Sequence, residues 1–181
     1  MRDWKVSRAL LRDMHTSPFF GDMTSLSHSG GHAVCAMAPH GWKLGIDLEA
    51  VKPRDIDALA QWVCSADERD MLTQAQGDTR LHRFYQLWTL KEAFIKAAGL
   101  SFPADMASVG LAPTAAGVSL RSPAGLWNAC SYRAGPNWMV GVVWQEPAGS
   151  TVSPAEPRWI GAVGCALPKV QLQGRWSSDS N

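Results

Sequence analysis

Long apolar runs are missing from this chain of 181 residues. No stretch approaches the ~18 consecutive apolar residues of a membrane span. The N-terminal Met1-Arg2-Asp3-Trp4-Lys5 leads into no apolar core segment, so no secretory signal is expected. Charge of one sign is also lacking. The formal net charge is +1, so no global field points to nucleic acid or to an anionic membrane, and any anion site must be local. Cysteine is sparse. Cys35, Cys64, Cys130 and Cys165 lie far apart with no CxxC or other ligand spacing, and His28 and His32, four apart, are separated by Gly30 and Gly31, which argue against a helix there and so against zinc. They read as reduced, mostly buried thiols of a cytoplasmic protein. Disorder is excluded by 46% hydrophobic and 18% charged residues. Nine tryptophans are scattered with no period, so no repeat is indicated and most are expected in the core or at its edge.

The pattern along the chain is mixed. Val6, Leu10, Leu11 and Met14 predict a short helix over 4–14. Pro18 and Gly21 mark a loop. Residues 33–38 predict a small apolar strand, and Lys43 to Glu49 a second that closes a hairpin with it across Pro39-His40-Gly41. A short helix is expected from Asp55 to Val63. Ser65 with Glu68 is a capping-box signature for a helix over 66–74. Residues 79–98 form the longest helical candidate, with Gly99 at its stop. Strands are expected at 109–111, 117–120, 127–132 and 138–144. From Glu146 onward Pro and Gly predict a loose tail, with Trp159 to Leu167 as a weak strand and a disordered end from Ser177. Strand pair, helices, long helix and antiparallel strands add up to an α+β fold.

Three blocks carry chemistry. In Gly45-Ile46-Asp47-Leu48-Glu49 the two acids point to one face of a strand, with Ile46 and Leu48 facing a core. Two such carboxylates repel, and a cation relieves the repulsion; oxygen-only donors suit Mg²⁺ or Mn²⁺. A solvated edge strand explains the pair equally well. On the long helix that carries Trp88 to Lys96, the residues Phe84, Leu87, Trp88, Phe94, Ile95 and Ala98 share an apolar arc with Glu92 at its edge. Glu92 and Lys96 could form an ordinary i,i+4 ion pair. Lys91 falls inside the arc, where it must snorkel out or meet an anion. In Ser27-His28-Ser29-Gly30-Gly31, polar side chains and glycines can wrap N–H groups around a phosphate; a plain polar turn is the competing reading.

Together these blocks resemble the 4′-phosphopantetheinyl transferase superfamily, and most nearly its larger, surfactin-synthetase-activating type. The family pattern is Ser-His-Ser, then a strand with Gly-Ile-Asp-x-Glu, then a helix with Trp-x-x-Lys-Glu-Ala-x-x-Lys; order and spacing match from about Ser25 to Phe102. The resemblance implies an antiparallel or mixed sheet packed on a long helix, built as two pseudo-twofold α+β halves with the first abbreviated. It assigns residues 1–146 to the transferase domain, with 1–41 the short N-terminal half and 42–146 carrying the metal site, and 147–181 to a Pro/Gly/Ser-rich extension.

The implied reaction is the Mg²⁺-dependent transfer of 4′-phosphopantetheine from coenzyme A to a serine of an acyl or peptidyl carrier protein, releasing 3′,5′-ADP. This is holo-[acyl-carrier-protein] synthase chemistry, serving fatty acid, polyketide or nonribosomal peptide synthesis. Asp47, Glu49 and Glu92 would hold Mg²⁺, or Mn²⁺, on the pyrophosphate. Glu92 would take the serine proton, directly or through water. Lys96 and Lys91 would contact phosphates, Ser27 and His28 the 3′-phosphate region, and Arg8 a further part of coenzyme A. One departure stands out: the family's Gly-Lys-Pro segment and fuller N-terminal half have no counterpart here. The chain is then a compact variant or recruits a second copy. A Mg²⁺-dependent phosphodiesterase or nucleotide hydrolase, and a non-catalytic coenzyme-A-binding relative, are the competing expectations.

Overall fold

The computed structural model describes residues 2–15, 23–115, 117–149 and 156–178. The Pro18–Gly21 loop and the last three residues of the predicted disordered end lie outside them. The chain folds as α1 (Arg2–His15), β1 (Met23–Ser29), β2 (His32–Ala38), β3 (Lys43–Ala50), α2 (Ile56–Val63), α3 (Ala66–Thr73), α4 (Gly77–Ala98), a 3₁₀ turn (Met106–Ser108), β4 (Gly110–Thr114), β5 (Gly117–Arg121), β6 (Trp127–Ala134), β7 (Trp138–Gln145) and β8 (Val170–Ser177). This is the expected α+β arrangement. No described helix is long and apolar enough to cross a membrane.

The main sheet runs β3-β7-β6-β8 and is antiparallel throughout. One face carries α4 and the larger core, which includes Phe84, Leu90, Phe94, Trp127 and Val143. The other face buries Ile46, Leu48, Val140, Val142 and Trp144 against Val34 and Ala36 of β2 and against Trp159. Helix ends follow the local signals. Asp55 caps α2 by accepting from the Ala58 N–H, Ser65 and Glu68 form the capping box of α3, and Gly99 ends α4 in the left-handed conformation at φ 65°.

Two expectations about strands are corrected. β2 does not pair with β3. It pairs with β1 in a hairpin whose two-residue turn is Gly30-Gly31, at φ 56° and 81°. Positive φ at both central residues matches the right-handed twist of a hairpin, and glycine supplies it without strain. Hence Ser27, His28 and Ser29 lie in a strand rather than in a phosphate-cradling loop. The segment after Glu146 is not a loose tail throughout, because β8 pairs with β6 from Asn128↔Ser177 to Ala134↔Val170. Trp176 packs against the main core, and this contact holds the strand in place. The weaker candidate strand at Trp159–Leu167 is irregular instead.

All four cysteines are free; Cys64 and Cys130 are buried, Cys35 is half-buried and Cys165 is exposed. Burial pushes the Cys64 thiol up to about 12 and Cys35 up to about 11, so neither is poised as a thiolate.

Candidate functional site

The site lies where β3 meets α4. Gly45, Asp47 and Glu49 alternate with the core-facing Ile46 and Leu48, so they look toward the helix. Gly45 touches it: a Cβ there would overlap the Ala93 carbonyl. On α4 the residues Tyr85, Trp88, Glu92 and Lys96 follow one stripe at i, i+3, i+7 and i+11. The helix therefore presents Glu92 and Lys96 to the carboxylates of β3.

Lys96 Nζ donates to Asp47 Oδ1 and to the Ile46 carbonyl, both at 2.9 Å. Lys96 thus bridges to the neighbouring strand rather than forming the ordinary i,i+4 pair with Glu92 that was the competing reading. Three serines of β1 bond to β3. The Ile46 N–H donates to Ser25 Oγ at 3.0 Å, Ser27 Oγ donates to Asp47 Oδ1 at 2.8 Å, and Ser29 Oγ donates to Glu49 Oε2 at 2.9 Å. Ser29 Oγ also accepts the Ala50 N–H at 3.1 Å. Alternate residues of a strand share a side, so all three hydroxyls reach β3 and His28 points the other way, exposed. Ser27 and His28 therefore do not form one anion cradle. Ser27 is committed to Asp47.

The electrostatics tie the acids together. Burial raises the Glu92 pKa above the ordinary value, and the charges of Asp47 and Glu49 raise it further while Lys96 opposes them. Glu49 is also raised, by burial first and then by Asp47, against the Ser29 hydrogen bond and the charges of Arg54 and Lys96. Asp47 is buried, and its Oδ2 has no hydrogen-bond partner. As placed, no three His, Cys, Asp or Glu side chains among the described residues form a closed metal-binding group. The donor set nonetheless fits a hard divalent cation. It offers only carboxylate oxygens, mutually repelling, one of them buried and unpartnered.

Beside Glu49 opens a small cleft of about 120 Å³ lined by Glu49, Arg54, Leu59, Phe84, Tyr85 and Trp88. The Tyr85 hydroxyl ties its rim. It accepts from Arg54 Nε at 3.1 Å and donates to the Lys52 carbonyl at 3.1 Å. Arg54 and Tyr85 were not expected at the site. The i, i+7 spacing of Tyr85 to Glu92 was the available signal.

Two sequence-predicted residues stand elsewhere. Lys91 is corrected as a phosphate contact: it is fully buried, with Nζ 2.7 Å from Glu68 Oε2. Burial pushes its pKa down, and the Glu68 charge opposes that. Arg8 lies on the exposed side of α1, 5.3 Å over the Trp4 ring, beside Lys5 and Arg12. No described hydrogen bond or ion pair joins it to the acids.

Comparison with known proteins places these features. The family model of the 4′-phosphopantetheinyl transferase superfamily matches residues 43–143. A 4′-phosphopantetheinyl transferase of Bacillus subtilis is 41% identical over 103 residues, covering 56% of this chain and 41% of the relative. The 4′-phosphopantetheinyl transferase Sfp of Bacillus subtilis strain 168 is 36% identical over 89 residues, 48% of this chain and 38% of the relative. The matches thus span about two fifths of these relatives' length. Among solved structures, a holo-(acyl-carrier-protein) synthase from Bacillus anthracis in complex with CoA (3′,5′-ADP) superposes with TM-score 0.50 at 17% identity, over 59% of this chain and 96% of that one. That likeness shows the fold.

Proposed function

The chain belongs to the 4′-phosphopantetheinyl transferase superfamily, and from that premise we propose that it transfers the 4′-phosphopantetheine arm of coenzyme A to a serine of an acyl or peptidyl carrier protein. The observation that carries the reading is the convergence of Asp47, Glu49 and Glu92 with Lys96 at the β3–α4 seam.

The reaction needs positioning and charge neutralisation more than covalent help from the protein. The serine hydroxyl oxygen attacks the phosphorus that bears the pantetheine arm. The bond from that phosphorus to the bridging oxygen breaks, and 3′,5′-ADP leaves with the electron pair. Asp47, Glu49 and Glu92 would hold Mg²⁺ or Mn²⁺, which supplies charge neutralisation on the pyrophosphate oxygens. Glu92 takes the serine proton, directly or through a water. Lys96 is partly exposed beside Asp47 and can offer N–H donors to the phosphates. Ser27 and Ser29 orient Asp47 and Glu49. His28 and Arg8, both exposed, are the groups available to the 3′-phosphate.

The test is incubation with coenzyme A, Mg²⁺ and an apo carrier protein, read by intact mass. The carrier should gain one phosphopantetheine, and Glu92→Gln should abolish the gain while circular dichroism stays native. No gain, where an established transferase modifies the same carrier, would sink the proposal. Release of 3′,5′-ADP without modification would favour hydrolysis, and titration showing coenzyme A binding without turnover would favour the non-catalytic relative.

A further inference from the structure

Lys91 and Glu92 are neighbours on α4, yet they point into different environments. The Lys91 ammonium has three N–H groups, and the structure gives it three acceptors: Glu68 Oε2 at 2.7 Å, the Met106 carbonyl at 2.6 Å and the Val109 carbonyl at 2.5 Å. Glu68 is bonded through both oxygens. Its Oε2 also accepts the Ser65 N–H at 2.9 Å, and its Oε1 accepts the Leu111 N–H at 3.0 Å. Both side chains are 0% exposed. Gly110 makes room for them at φ 128°, where a Cβ would overlap Glu68 Oε1. One closed node therefore joins α3, α4, the 3₁₀ turn and β4.

A buried ion pair of this kind is generally no more stabilising than apolar residues of the same size, so its energetic benefit does not explain it. Its directionality does. On the sheet side, α4 rests through Thr89 and Ala93 on Gly141 and Gly45. Small residues on glycine set the distance of the helix from the sheet but resist rotation weakly. Lys96, bonded to Asp47 and the Ile46 carbonyl, and the core residues Phe84, Leu90 and Phe94 also restrain rotation, and the Lys91 hydrogen bonds add a directional restraint from the side away from the sheet. Turning α4 by ~20° would move a side-chain tip at a radius of ~5–6 Å by ~2 Å. A displacement of ~1 Å is enough to cost ~10²-fold in rate.

We propose that the Glu68–Lys91 pair is a positioning device that sets the rotation of α4 and so aims Glu92 at Asp47 and Glu49. The inference rests on the transferase reading for its activity readout, and on cation binding for an independent one.

The full chain is compared with Glu68→Met/Lys91→Met, in which the pair is replaced by apolar residues of similar length, and with Glu68→Asp, which keeps both charges and shortens one arm. The double variant, which leaves the Ser65 and Leu111 N–H groups and the Met106 and Val109 carbonyls without these partners, is expected to fold with a lower thermal midpoint, to lose at least ~10-fold in kcat, and to hold KM for coenzyme A within ~3-fold. Titration with Mn²⁺ alone is expected to show at least ~5-fold weaker binding. Parent-like kcat and Mn²⁺ affinity in a folded double variant would overturn the proposal, since the pair would then be structural only. If the double variant does not fold, Glu68→Asp decides by the same two readouts, with parent-like values again overturning it. If the parent transfers nothing, the functional reading fails alone, and the Mn²⁺ titration still judges the pair. A parent that binds no Mn²⁺ would overturn the pair as a positioner.

Discussion

Asp47 shows how little freedom a single side chain has here. Its Oδ1 serves both Ser27 and Lys96, while its Oδ2 is buried without a partner. An orphaned buried oxygen is costly, and a cation bound at this acidic seam would remove the cost. Glu49 and Glu92 make the same point through titration. Both are raised above the ordinary glutamate value, so the folded state holds their protons to higher pH than the unfolded chain does. Their stabilising contribution is complete below the unfolded value and is lost as pH rises through the folded one. At neutral pH without a cation the two carboxylates therefore work against the fold. Glu92→Gln should raise the thermal midpoint at pH 7 and leave it nearly unchanged near pH ~4, where glutamate is largely protonated in both states. A lower midpoint at pH 7 would contradict this. By the same linkage Mg²⁺ should stabilise the parent at pH 7 and progressively less on acidification, which differential scanning fluorimetry can follow. The acid pair was legible as two carboxylates on one strand face. That Ser27 serves Asp47 rather than a ligand was not, because the contact depends on how a separate hairpin lies along β3.

At the scale of elements, α4 is the organising piece, and its burial is wider than an amphipathic pattern suggests. The apolar arc predicted one face, but Tyr85, Thr89 and Ala93 are buried as well. They form a second stripe against β3 and β7. Two glycines make this possible: a Cβ at Gly45 would strike the Ala93 backbone, and one at Gly141 would strike the backbone of Thr89 and Leu90. Gly45↔Val143 and Asp47↔Gly141 are cross-strand partners, so the two glycines sit diagonally under the helix. Gly45→Ala should push α4 off the sheet. The overpacking costs ~1–3 kcal/mol, read as a thermal midpoint lower by several degrees, and transfer should fall further than stability does. An unchanged midpoint would show that the close approach is not required. The helices, their caps and the strands from 110 to 145 were readable from periodicity and punctuation, since these signals are local. Lys91 was readable only as an anomaly inside an apolar arc. Its partner lies on a different helix, and no spacing within α4 names it.

The molecule as a whole is closed by a strand that composition concealed. β8 covers the free edge of β6, and Trp176 reaches the main core. Ser178 adds two hydrogen bonds to Trp127, from its N–H to the carbonyl at 2.9 Å and from the Trp127 N–H to Ser178 Oγ at 2.8 Å. Removing residues 170–181 should uncover that edge and part of the core beneath it. The shortened protein is expected to elute as aggregate in size-exclusion chromatography and to lose near-ultraviolet dichroism; a monodisperse, native-like product would show that the strand is dispensable. The surrounding Pro, Gly and Ser residues hid β8, and a bulge that puts Val170 and Trp176 against different core clusters broke the alternation that could have revealed it. Local order along the chain was enough for the residue types, the helix ends, the two-residue period that aligns Asp47 with Glu49, and the resemblance that led to the family. Tertiary packing alone decided the rest: which hairpin flanks β3, which lysine faces the acids and which is locked away, and which segment closes the sheet. Propensities and caps act within a few residues. These choices depend on backbones meeting at Gly45 and Gly141 and on charges meeting across helices, and such contacts exist only once the chain is folded.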